Sequence, residues 1–266
     1  MKVIHMMTDS SRCVEQCMHL RTLSLVLACL CGLGTGCEKS GGKEQSAAAV
    51  RGIAGRVTLR GAPPPEKPIT AGVDPACAQL QTNALTTRHY VVGTNGGLAD
   101  TVVYVKEGLS GATFPASVDE PIISFNRCQI FPYVSAVRTG QRVELRNEKD
   151  NVLHNIHGVA RANREFNLAM PTRGQTTSRT FDAPEMFIRL KCDVHPWEFA
   201  HVCVFDHPFF AITDANGNFE LPLGLPDGKY VIEARHLKSG AINTAVVIVG
   251  GKTRFLDLGF DAPPSR

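Results

Sequence analysis

The residues able to do chemistry fall in two short stretches. The first, "CDVHPWEFAH", runs from Cys192 to His201 and holds a cysteine, a histidine three residues on, the only tryptophan, a glutamate and a second histidine. The second, "NVLHNIHG", lies upstream and carries His154 and His157. Soft thiolate and imidazole donors suit copper or zinc. The spacing of Cys192 and His195 lets one loop offer both to one ion, and His154 adds a third donor from elsewhere in the chain. The sequence carries no nucleophile–base pair, no Gly-rich phosphate loop and no paired carboxylates of a hydrolase.

Donors so far apart need rigid elements to bring them together, and the flanking text reads as strands. In "RVELRN" Val143 and Leu145 alternate with Arg142, Glu144 and Arg146, the mark of a half-buried strand, with Gly140 supplying the turn before it. Ile188, Leu190 and Cys192 share one face and Arg189 and Lys191 the other, so Cys192 is expected to point inward at a strand end. Scattered Gly and Pro among short Val/Ile/Leu/Phe runs favour an all-β chain. "GIAGRVTLRGAPPP" reads as a strand entering a Pro-rich turn, and "HYVVGTNGGLADTVVYVKEGL" as two strands around Asn95-Gly96-Gly97. The text from Glu120 to Gly158 gives three strands, and that from His201 to Phe260 five or six, with a hairpin through Asn216-Gly217. No segment shows helical periodicity beyond a single turn near 163–170.

The 266 residues carry a formal charge of only +3 and no Lys/Arg run, which argues against a nucleic-acid partner. The N-terminus reads as a targeting leader: Arg21, an apolar run ending near Leu33, then Gly34, Thr35 and Gly36 before Cys37. That run is shorter than the roughly 20 residues a spanning helix needs. The pattern is that of a bacterial lipoprotein signal over 1–36, with Cys37 the lipidated residue and 37–50 a flexible linker; Cys29 also fits such a box, and Met18 is a candidate start. The expected location is therefore a bacterial cell envelope, exported and membrane-anchored through an N-terminal lipid, facing the periplasm or cell surface. There the compartment is oxidising. Four cysteines remain beyond the leader: Cys77, Cys128, Cys192 and Cys203. Cys77 and Cys128 are the natural disulfide pair, since both lie outside the metal segments, and Cys203 reads as a buried free thiol.

A trio of His154, Cys192 and His195 is the equatorial set of a blue-copper centre, which normally adds a weak axial Met. The two stretches resemble the cupredoxin family, and amicyanin-type members most closely, over about residues 118–205. "GQRVELRNEKDNVLHNIH" resembles the strand that leads to the first histidine ligand, and "CDVHPWE" resembles the short C-x2-H-x2-M ligand loop. The resemblance implies a Greek-key β-sandwich, one copper ion and one-electron transfer to an unidentified redox partner, a carrier rather than a catalyst. It makes His154, Cys192 and His195 the ligands. Asn155 would brace the ligand loops, with His157 and His201 near the site but not bound. Pro196 and Trp197 would form a docking rim beside an exposed edge of His195.

One departure is plain. Glu198 occupies the axial Met position. A hard carboxylate there favours Cu(II), lowers the potential and makes the set acceptable to zinc. His201 is a competitor for that place. The alternative function is a cell-surface structural or binding β-sandwich with a zinc or empty site. Singly, His89, His207 and His236 read as ordinary surface or hydrogen-bonded residues. The flanks resemble something else: "FFAITDANGNFELPLGLPDGKYVIEARH" resembles the second half of a carboxypeptidase-regulatory-like (transthyretin-like) β-sandwich, and "GIAGRVTLRGAPP" with "ADTVVYVK" its first half. The implied organisation is a smaller transthyretin-like module in two halves, 51–110 and 206–262, around a cupredoxin-like domain at 111–205.

Overall fold

The computed structural model describes residues 52–69, 74–81 and 84–264. The leader, Cys29, Cys37 and the linker lie outside the described residues. Among the described residues the chain is all-β apart from one helix, Pro75–Leu80.

The middle of the chain forms a sandwich of two sheets. One has the strand order Phe166–Met170, His154–Val159, Glu185–Lys191, Phe199–Phe205, Val134–Arg138; the other runs Thr176–Arg179, Val143–Asn147, Ile122–Phe125, Ile130–Phe131. The alternation of "RVELRN" is realised, with Val143, Leu145 and Asn147 buried and Glu144 and Arg146 half-buried. Period two also sorts the next strand: His154, Ile156 and Gly158 face in, while Asn155 and His157 face out. Ile188, Leu190 and Cys192 join Ile123, Phe125, Leu145, Ile156 and Met170 in one buried cluster. Each such aliphatic or aromatic side chain contributes about 1.5–3 kcal/mol by leaving water.

Strands from the two ends of the described chain build a second sandwich. Ile53–Arg60 lies between Asn218–Glu220 and Arg254–Asp261, pairing in parallel with the latter; Val102–Glu107 lies between Phe210–Ile212 and Gly228–His236, with Gly240–Ile248 at the edge. Their inward residues, Ile53, Val57, Val103, Val105, Ile232 and Phe260 among them, make a separate core. A third cluster joins the sandwiches: Val102, Tyr133, Val134, Cys203 and Phe205. The strand Phe199–Phe205 therefore has two working faces, Ala200, Val202 and Val204 toward one core and Cys203 and Phe205 toward the joint.

Four local expectations change. The text from Glu120 to Gly158 holds five strands, because the Asp150 carboxylate accepts the backbone N–H groups of Arg127 and Cys128 (both 2.7 Å) and turns the chain between Ile122–Phe125 and Ile130–Phe131. "HYVV" forms only an isolated bridge at Val92, since Glu66 takes the N–H groups of His89 (3.0 Å) and Tyr90 (2.6 Å) in place of a partner strand. Asn216-Gly217 makes no hairpin; Asp214 Oδ1 accepts from the N–H groups of Asn216 and Asn218 (both 2.8 Å), and the turn carries the chain from one sheet to the other. Residues 166–170 are a strand, and the helix lies at Pro75–Leu80, where Asp74 caps the backbone N–H groups of Ala76 (2.8 Å) and Cys77 (3.3 Å).

Candidate metal centre

His154 opens its strand with its side chain on the inward face, and Cys192 follows directly on Glu185–Lys191, one strand over. Between Cys192 and the strand Phe199–Phe205 the chain makes a tight loop. The Cys192 N–H donates to the Glu198 carbonyl (3.0 Å), and the Glu198 N–H donates to the His195 carbonyl (2.9 Å). The loop so closed turns Cys192, His195 and Glu198 toward His154. None of the four is more than 1% exposed, and one donor atom from each falls within 4.8 Å of all the others.

The separations match a coordination sphere. His154 Nδ1 lies 3.2 Å from His195 Nδ1 and 3.0 Å from Glu198 Oε2, and Cys192 Sγ lies 3.7 Å from His195 Nδ1. Around a tetrahedral ion with bonds of about 2.0 Å to nitrogen and about 2.3 Å to sulfur, two nitrogens sit about 3.3 Å apart and nitrogen and sulfur about 3.5 Å apart. Glu198 Oε1 is buried and makes no hydrogen bond, though it is 3.3 Å from His195 Nδ1. A buried carboxylate oxygen left so is costly unless a cation answers it. The residues fit a mononuclear metal.

Carboxylates surround the two rings. Asp150 Oδ2 is 3.3 Å from His154 Nε2, and Asp74 Oδ2 is 3.0 Å from His195 Nε2. Burial opposes charge on either ring. For His154 it is outweighed by the neighbouring Asp150, Cys192 and Glu198, which carry the ring up to about 11, although Nε2 itself makes no hydrogen bond; for His195 it is outweighed by Glu198 and Asp74, which carry it up to about 9. The hydrogen bond to His195 holds Asp74 below the usual carboxylate range. A metal entering must displace these protons. The Phe125 ring stacks on His154 at 4.5 Å and dries the inner side.

Asn155 is on the outward face beside His154 and ties the two ligand segments together. Its Oδ1 accepts from the Asp193 N–H (2.8 Å) and from the Cys192 thiol (3.4 Å). His157 faces outward too and lies between Asp193 (2.9 Å) and Glu165 (2.7 Å), apart from the four donors. His201 belongs to the strand Phe199–Phe205 and faces the aromatic rings of Tyr133, Phe187 and Phe199, so strand alternation rather than distance along the chain removes it from competition with Glu198. Pro196 is exposed and Trp197 half-buried, its Nε1–H donating to the Cys128 carbonyl (3.2 Å). The expected exposed edge of His195 is absent: Asp74 covers Nε2, and Cys77, joined to Cys128 in a disulfide, puts its sulfur 3.7 Å from the same nitrogen. Sequence reading missed Asp74 and Asp150. The second stands four residues before His154 and was open to inspection; no spacing rule links Asp74 to His195.

No protein-family model and no curated protein sequence matches the chain. Among solved structures it is similar to amicyanin from Paracoccus versutus (16% identity, TM-score 0.29, covering 39% of this chain and 97% of that one). It is also similar to a purple cupredoxin from Nitrosopumilus maritimus (20% identity, TM-score 0.27, covering 32% and 100%). A copper-containing nitrite reductase from Thermus scotoductus shares 17% identity at a TM-score of 0.30, over 36% of this chain; the chain spans about a quarter (24%) of that enzyme. What the centre can do follows from its donors.

Proposed function

We propose that the chain is an exported copper protein that carries one electron at the cell envelope, with His154, Cys192, His195 and Glu198 holding a single ion. The observation that carries this reading is the convergence of two imidazole nitrogens, one thiol and one carboxylate in a site closed to water. When bound, copper supplies a one-electron couple at a thiolate-ligated centre. The protein's part is to fix the donors before the ion arrives, through Asn155 and the closed 192–198 loop, and to keep water out with Phe125. Neither side of that work needs a substrate-binding position. Trp197, whose ring lies 5.1 Å from that of His195, and exposed Pro196 are the proposed contact for a redox partner.

The rest of the reading concerns location and build. The leader over 1–36, with Cys37 as the lipidated residue after it, supports export and a lipid anchor. We read the middle sandwich, 111–205, as inserted into a transthyretin-like module whose halves are 51–110 and 206–262. The pairing of Ile53–Arg60 with Arg254–Asp261 and of Val102–Glu107 with Gly228–His236 supports this.

The test is Cu(II) titration of the purified protein, followed by visible spectroscopy and metal analysis, beside Cys192→Ser and Glu198→Met. One copper per chain with a thiolate charge-transfer band, lost in Cys192→Ser and intensified with a higher potential in Glu198→Met, is expected. Binding of zinc alone, or no stoichiometric metal, would replace electron transfer with a structural or binding role.

A further inference from the structure

We propose that Asp74 is a positioning residue of the metal centre, holding His195 by its outer nitrogen and closing the face through which the ring would otherwise meet solvent. The proposal rests on the reading of the centre as a copper site.

The argument begins with the ring's two nitrogens. A histidine that binds metal through Nδ1 must carry its proton on Nε2, and the partner of Nε2 decides whether it does. His195 Nδ1 faces His154 Nδ1 at 3.2 Å, and its Nε2 faces Asp74 Oδ2 at 3.0 Å. A carboxylate can only accept from that N–H when ionised, so it selects the tautomer with a free Nδ1 lone pair. It also makes the ring a stronger donor, which favours the more highly charged oxidised ion.

Asp74 is itself held in place. Its other oxygen, Oδ1, accepts from the N–H groups of Ala76 and Cys77 as the cap of Pro75–Leu80. Cys77 is then bonded to Cys128, whose own N–H donates to Asp150 Oδ2, the oxygen that faces His154 Nε2. Each imidazole thus has a carboxylate behind it, hydrogen-bonded at His195 and 3.3 Å away without a hydrogen bond at His154, and a disulfide joins the two supports. A carboxylate needed only to cap a six-residue helix has no reason to point its second oxygen at a buried ring nitrogen.

The double duty of Asp74 makes the two roles separable. Asn caps a helix about as well as Asp, so Asp74→Asn keeps the helix and removes the charged acceptor. Asp74→Ser keeps a cap and is too short to span both partners. Both variants should bind Cu(II) about 10- to 100-fold more weakly. Their potentials should rise, because the oxidised ion loses more; a tenfold differential loss equals about 59 mV for a one-electron couple. Nitrogen NMR of the metal-free protein above about pH 9, where the His195 ring is neutral and has a tautomer to select, gives an independent readout: a hydrogen-bonded His195 Nε2–H in the native chain, lost in both variants. Unchanged affinity, potential and His195 signal in Asp74→Asn, with native stability, would overturn the proposal and leave Asp74 a helix cap. A native protein that takes up no copper would instead overturn the copper reading, while the NMR comparison still decides whether Asp74 sets the ring's tautomer.

Discussion

Three carboxylates crowd two imidazoles at this centre, and another histidine shows what the same chain does with no acid nearby. His201 is buried among aromatic rings, its Nδ1 without a hydrogen-bond partner. Burial, aided by the positive charges of Arg189 and Lys238, lowers it to about 4. The unfolded chain binds that proton from about pH 6.5 downward, whereas the folded chain resists until about pH 4. Stability is therefore fully present above pH 6.5 and lost as pH falls through this window, by at most about 3 kcal/mol from this one group. His201→Leu should flatten the fall of urea-unfolding free energy between pH 6.5 and 4; an unaltered slope would mean that His201 does not titrate there. His236, lowered to about 4 as well, accounts for a similar remaining slope. At this scale the sequence was most informative: Cys192, His195 and Glu198 are legible because their spacing fits one loop. Asp74 was not, because its role depends on a tertiary contact across 121 positions.

Strand alternation is the device that turns this chain into a site. Because side chains reverse face at every residue, His154 and Asn155 are committed to inside and outside together. The outward row then forms a polar clasp: Asp193 receives Asn155, His157, Asn167 and Lys191 and ties three strands to the ligand loop. In the same strand Gly158 stands opposite Phe166, whose ring occupies the space of the missing side chain; a Cβ there would come within 2.4 Å of it. Gly158→Ala should cost about 1–3 kcal/mol by overpacking and weaken metal binding by shifting the strand that carries His154. Thermal unfolding and copper titration of the variant check this, and wild-type values in both would show that the ring moves aside freely. Alternation in "RVELRN" and before Cys192 was legible because period two needs few residues. The helix was not, because six residues hold less than two turns; only Asp74-Pro75 marked its start. The first strand expected at "HYVV" failed because a side chain, Glu66, took the hydrogen bonds a neighbour strand would have made.

At the scale of the molecule, the joint between sandwiches decides whether they behave as one. Phe205 packs against Tyr104 at 4.9 Å and Phe210 at 4.8 Å, so residues of both cores meet around it. Calorimetry of the native protein should show a single transition, and Phe205→Ala should cost about 3–5 kcal/mol and split it in two. Two transitions in the native chain would mean that the joint transmits little. The architecture around the site was only half legible, since the flanks reveal strands but not which strands pair. That pairing has a consequence for the order of assembly. Ile53–Arg60 finds its neighbours only at Asn218–Glu220 and Arg254–Asp261, whereas every strand of the middle sandwich pairs within Ile122–Phe205. A chain synthesised amino end first delivers its earliest strand long before the partners of that strand. The middle sandwich can close and gather its ligands while the first strand still waits as an open edge, exposed to any other strand that passes.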